Sequence, residues 1–231
     1  MSIRRRSVSV LAALATAGLL AGTAHAAERS WMVGSFDKIR VSGPINVEVE
    51  TGIAQSARAS GAQNIIDLLD VKVVSRELRV SYKPDSGFRN LRGTTFYVTT
   101  PELQAATLRG SGDVKVDDMT ASSITLALDG SGDLMIENVE ADNVVAAVKG
   151  SGDLKAFGSC KDADLALKGS GDLDVSGLEC NRANAAVQGS GDIVLTASES
   201  VNAAVKGSGD IRVKGDPSCT VAVSGSGDIH C

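Results

Sequence analysis

Large rings are scarce in this chain. One Trp, two Tyr and four Phe make up 3% of its 231 residues. That excludes a thick globular core built around aromatic side chains, and leaves Val, Leu, Ile and Ala to form a thin, repetitive one. Histidine is scarcer still, with only His25 and His230. His25 lies in a leader-like segment, and one His beside the C-terminus is a poor general base for a Ser or Cys nucleophile. The chain also lacks an apolar run long enough for a comfortable membrane span. Its longest, SVSVLAALATAGLLAG, is short and Ala-rich.

That run belongs to residues 1–26, which read as an export signal. Arg4, Arg5 and Arg6 form a positive n-region, the apolar run is the h-region, and AHA at 24–26 offers small residues for cleavage after Ala26. An uncleaved anchor is the alternative. The arginine run also matches the start of a twin-arginine signal, without specifying that route. No Cys stands near the cleavage point, which speaks against a lipid anchor. Cleavage removes three Arg and no acid, so 23 basic residues become 20 against 28 acidic, a net of −8. Such a balance lacks the basic face that nucleic acid requires. It suits the periplasm or exterior of a Gram-negative bacterium.

What the chain has in excess is glycine. Fourteen of its 25 glycines lie in seven copies of GSGD, at 110–113, 130–133, 150–153, 169–172, 189–192, 207–210 and 225–228. The intervals are 20, 20, 19, 20, 18 and 18 residues. Six, four and two residues before each copy from the second on stand apolar side chains, as in Ile124, Leu126 and Leu128 or Val201, Ala203 and Val205. The first and third residues after each copy are apolar too, from Val114 and Val116 to Ile229 and Cys231. A period of two on both arms predicts strands with one buried face. A unit with one apolar face buries it only by stacking, each strand pairing in parallel with its equivalent about 4.8 Å away. The fold class is therefore all-β, a parallel β-helix or solenoid with about 18–20 residues per coil.

Outward columns follow from the same alignment. Three before the first Gly stand Thr107, Ala127, Ala147, Ala166, Ala186, Ala204 and Ala222. Immediately before it stand Arg109, Asp129, Lys149, Lys168, Gln188, Lys206 and Ser224. Alanine has poor strand propensity, so a column of it is unusual. It reads either as a solvated face of small side chains or as a flat docking surface. Residues 30–100 are less regular: strands at 36–41 and 45–50 around a Gly-Pro turn, a short helix at 63–70, two strands within 71–83 and another at 94–101. They read as irregular N-terminal coils and a cap. Residues 27–231 thus form one domain, with regular coils over 101–231.

FDKIRVSGPINVEVETG, LRVSYK, VTTPEL and LRGSGDV, in that order and followed by the GSGD repetition, resemble the GIN-domain family of auto-transporter adhesin heads. The resemblance covers the whole mature chain. It implies a right-handed β-helix of an exported bacterial protein with no established enzymatic activity. Many relatives carry a lipid-anchor Cys, and this sequence departs from them there.

Each GSGD corner pairs permissive glycines (Gly110, Gly130, Gly150, Gly169, Gly189, Gly207 and Gly225 lead the copies) with an aspartate: Asp113, Asp133, Asp153, Asp172, Asp192, Asp210 or Asp228. Stacked carboxylates about 5 Å apart repel one another and need an offset. One reading is a structural cap, each Asp accepting from backbone N–H groups of its own corner. The other is calcium held along Asp133, Asp153, Asp172, Asp192 and Asp210, as in β-rolls. Phosphate cradling fits poorly, because no helix start or Lys follows the motif as required. No acidic cluster breaks the repeat pattern in the sequence, so no catalytic residue is assigned.

The even cysteine count in an exported chain predicts disulfides. Cys160 and Cys180 each lie nine residues before a GSGD, on adjacent coils, and are expected to pair. Cys219 and Cys231 both replace inward residues of the last coil, and their bond would tie it shut. The alternative there is a metal site with His230. The C-terminal edge is expected to be covered by that bond or by self-association into a homo-oligomer. The reading as a whole is a non-enzymatic, adhesin-like or structural module that binds a glycan or envelope protein. A calcium-stabilised scaffold and a carbohydrate-active enzyme stand as alternatives, and calcium is the only cofactor in view.

Overall fold

The computed structural model describes residues 26–84 and 94–231. The leader-like segment at 1–25 lies outside them. In chain order the elements are β1 (Ala27–Trp31), β2 (Lys38–Ser42), β3 (Asn46–Thr51), β4 (Ser56–Gly61), α1 (Gln63–Ile66), β5 (Leu69–Val74), β6 (Glu77–Tyr82) and β7 (Thr95–Thr100). Then come β8 (Ala105–Gly110), β9 (Val114–Gly130), β10 (Leu134–Gly150), β11 (Leu154–Gly169), β12 (Leu173–Gly189), β13 (Ile193–Gly207), β14 (Ile211–Lys214), β15 (Ser218–Gly225) and β16 (Ile229–His230).

From β8 onward this is a parallel β-solenoid. β9 to β13 each run from one GSGD to the next and pair in parallel with their neighbours, so Leu134 sits beside Val114 and Leu154, and Gly150 beside Gly130 and Gly169. Through β13 the residues predicted to face inward are buried, among them Ile124, Leu126, Ile136, Ala146, Leu154 and Leu173, whereas Val221 and Val223 of the last coil are exposed. Each fully buried Val, Leu or Ile contributes roughly 1.5–3 kcal/mol, so many thin layers replace one thick core. Between the two straight sides the ladder slips, at Ile136/Val139, Lys155/Phe157, Val175/Glu179 and Cys180/Arg182. These slips absorb the differences in coil length, and the corners stay aligned.

The N-terminal region has two parts. β2 and β3 form a true first coil, since β2 pairs in parallel with β8 and β3 with β9. The remainder folds back over that coil as a cap. β7 lies parallel to β3, β4 antiparallel to β7 and β1 antiparallel to β4. On the neighbouring side β6 lies parallel to β2, and β5 antiparallel to β6. The helix expected over 63–70 is one turn, because the chain enters β5 at Leu69. β5 and β6 turn at Ser75 and Arg76, whose φ values of 52° and 61° make the two-residue hairpin. Among the described residues, no helix is long and apolar enough to cross a membrane.

Candidate functional site: the corner column and the alanine strip

The corners are built from backbone. The carbonyl of Gly110 accepts from the N–H groups of Ser131 and Gly132 at 2.9 and 3.2 Å, and the same pair of bonds recurs at each later corner. Gly150 has φ +126°, and a Cβ there would overlap the carbonyl of Gly130. A Cβ on Gly152 would strike the carbonyl of Gly132. Glycine is required because the chain turns left-handed at the first position and stacks backbone on backbone at both.

The aspartates cap across coils. The N–H of Asp172 donates to Oδ1 of Asp153 at 2.9 Å, that of Asp192 to Asp172 at 3.0 Å, and that of Asp210 to Asp192 at 2.8 Å. Asp133, Asp153 and Asp228 donate in the same way to Asp113, Asp133 and Asp210. This differs from the expected cap of each residue's own corner: parallel stacking brings the next coil's N–H within hydrogen-bond distance of the carboxylate. Arg212 adds its guanidinium to Asp192 and Asp210 at 3.3 and 3.1 Å. Among the described residues, no three His, Cys, Asp or Glu side chains gather into a metal-binding group.

The column begins one corner earlier than the seven GSGD copies. Asn46 Oδ1 accepts from the N–H of Asp113 at 3.1 Å, and the N–H of Gly43 donates to Arg109 O at 2.7 Å. Gly43–Pro44–Ile45–Asn46 is thus the founding corner. The sequence alone shows it as a Gly-Pro turn. Its signal was the apolar frame, since Ile39, Val41, Val47 and Val49 stand where the other corners place theirs.

Both expected disulfides are present. Cys160–Cys180 joins adjacent coils with a Cα separation of 4.5 Å, and Cys219–Cys231 closes the last coil at 6.5 Å. The second bond takes Cys231 out of any metal site with His230.

The alanine column forms a continuous outward row, Thr107–Ala127–Ala147–Ala166–Ala186–Ala204–Ala222, one residue per coil. Toward the cap it runs into Arg40 and Arg79. These two are clamped on Glu77: Arg40 Nε donates to Oε1 at 2.8 Å and Arg79 Nε to Oε2 at 2.6 Å. Burial alone would raise the Glu77 carboxyl, but the hydrogen bonds and charges of both arginines outweigh it and hold the group below the usual carboxylate range.

Over coils β10 to β13 the strip is a shallow groove of about 350 Å³, floored by Ala147, Ala166, Ala186 and Ala204. One wall is a polar ladder: Asn184 Nδ2 donates to Asp164 Oδ1 at 2.7 Å and Asn202 Nδ2 to Asn184 Oδ1 at 3.0 Å. On the other side runs the column of exposed Lys149, Lys168 and Lys206. Methyl floor, fixed amides and ammonium groups offer contact to a ligand, with no nucleophile paired to a base.

A second groove, of about 380 Å³, lies beside the cap. It gathers Glu48, Glu50, Asp117 and Glu137 with Arg58, Tyr97 and Lys115, an acidic cluster that breaks the repeat and that the sequence did not reveal. Sheet pairing makes it, because β3, β7, β9 and β10 are scattered in sequence. Two of its acids are already engaged. Asp117 accepts from the Thr51 N–H at 3.0 Å, and Glu137 pairs with Lys115 at 2.7 Å, raising the lysine above its ordinary value. The Arg58 guanidinium lies 4.2 Å over the Tyr97 ring.

Residues 35–217 match the family model described as "Putative auto-transporter adhesin, head GIN domain". No curated protein matches the chain. Among solved structures, a putative adhesin from Bacteroides fragilis is similar at TM-score 0.86 and 28% identity, over 90% of this chain and 97% of that one. A putative lipid binding protein from Parabacteroides distasonis shares the fold at TM-score 0.73 and 22% identity, over 90% and 97%. A putative adhesin from the same species shares it at 0.70 and 22%, over 90% and 98%. None of these descriptions names an enzyme. With most of its length inside the family model, the chain belongs to the GIN-domain family of putative auto-transporter adhesin heads.

Proposed function

We propose that this chain is an exported, non-enzymatic binding module of the bacterial envelope, which receives an extended glycan or an extended segment of an envelope protein lengthwise along the alanine strip. The observation that carries the reading is the groove over Ala147, Ala166, Ala186 and Ala204, walled by the Asp164–Asn184–Asn202 ladder. Its contacts repeat about every 4.8 Å. A ligand with its own repeat therefore meets the same small floor and the same amide several times, and weak contacts add up. Two intramolecular disulfides support an oxidising compartment, and the leader-like residues 1–26 support export.

The test is a glycan array and, in parallel, an envelope-protein overlay, both probed with oxidised residues 27–231. Binding that Ala166→Arg abolishes and Asn184→Ala weakens is expected. Binding that survives Ala166→Arg unchanged, or no binding on either platform, overturns the reading.

A further inference from the structure

The two ends of the solenoid are finished differently. At the N-terminal end the outermost strands are β1, paired among the described residues only with β4, and β5, paired among them only with β6. Both carry alternating charge, Glu28 and Arg29 on one, Asp70 and Lys72 on the other. Charged edges resist pairing with another chain. At the opposite end β15 pairs only with β13 among the described residues, and its sequence SCTVAVSG holds no charge and no proline. It has none of the guards that the cap carries.

Its inward side is also unfinished. Val221 and Val223 sit in register with Ala203 and Val205, which are 3% and 2% exposed. Val221 and Val223 themselves are 53% and 49% exposed. The Cys219–Cys231 bond closes the coil but does not cover them. One further strand laid along β15 would bury both and would take up its free backbone groups.

We propose that this strand is β15 of a second copy, in a two-fold dimer that joins the C-terminal coils end to end. The guarded cap disfavours head-to-tail stacking, so the contact closes on itself as a dimer. A two-fold axis midway between the two β15 strands, level with Ala222 and along the inward normal of the sheet, reverses the strand direction and keeps both interiors on the same side. It sets Val221 opposite Val223 of the second copy, Thr220 opposite Ser224 of the second copy, and Ala222 opposite its own equivalent. The strand is self-complementary in this register: apolar meets apolar inside, hydroxyl meets hydroxyl outside, and no charge faces another.

The dimer does not rest on the ligand reading, because the seam and the strip's central groove are separate surfaces. The test is sedimentation of oxidised residues 27–231 across a concentration series. Wild type is expected to shift from monomer to dimer as concentration rises. Val221→Lys and Val223→Lys each abolish the shift, and Met135→Lys, exposed on another face, leaves it unchanged. Far-UV circular dichroism confirms that the lysine variants keep their fold. The register has its own readout: Ala222→Cys forms a covalent dimer on oxidation, whereas Met135→Cys does not. A wild type monomeric at every concentration, a dimer that persists in folded Val221→Lys, or an Ala222→Cys variant that crosslinks no better than Met135→Cys overturns the proposal.

Discussion

The backbone N–H of Asp172 points at the carboxylate of Asp153, 2.9 Å away and one coil earlier. The bond turns a column of like charges into a column of donors and acceptors. Asp153→Ala removes the acceptor and is expected to cost about 0.5–1.5 kcal/mol. Asp153→Asn keeps an acceptor, relieves repulsion along the column, and is expected to match wild type within about 0.5 kcal/mol. Urea denaturation of the two variants checks this. Equal losses in both would show that charge rather than hydrogen bonding is what matters at that position.

The same bonds bear on calcium. Because Oδ1 of each column aspartate from Asp113 to Asp210 is engaged by the next coil, the melting temperature is expected to be the same in millimolar calcium and in chelator. A calcium-dependent rise would mean that the column holds ions as well as N–H groups.

Backbone contact at the corners makes a sharper prediction. Gly152→Ala drives a methyl into the Gly132 carbonyl and forces two coils apart. A loss of roughly 3 kcal/mol or more is expected, at the upper end for overpacking. Gly34→Ala, where a Cβ meets nothing within 4 Å, is the matched control and should be close to neutral. Thermal or urea melts that fail to separate the two would refute the stacking account.

Glu77 gives the cap a pH signature. Its folded carboxyl titrates below its unfolded value, so its contribution is fully present above the unfolded carboxylate pKa of about 4.3 and disappears as pH falls through the lower folded value. Glu77→Gln should therefore be less stable than wild type at neutral pH, with a gap that closes on acidification below about pH 4. A gap independent of pH would mean that Glu77 acts through shape alone.

Much of this architecture was legible in the residues. The seven corners, the inward columns and both disulfides follow from one alignment, because identical motifs at a constant interval leave a parallel stack as the simplest burial. The cap was less legible. β4 and β5 alternate apolar and polar residues much as the solenoid strands do, and a period of two carries no information about strand direction. The founding corner hid because Pro44 and Ile45 replace the Ser and Gly of the motif, although the apolar frame around it is intact. The acidic groove at Glu48, Glu50, Asp117 and Glu137 was invisible, since its members meet only once β3 is laid beside β7 and β9. The cross-coil partner of each aspartate was equally out of reach, because it depends on how one coil seats on the next.

The slips in the ladder near Val139, Phe157 and Glu179 have a mechanical consequence. They work as an expansion joint. Residues can be gained or lost on that one side of a coil, as the intervals of 18 to 20 show, while Gly150, Gly169, Gly189 and Gly207 keep their alignment. The strip on the straight side keeps a constant pitch throughout, so the protein can change its outline without losing its gauge.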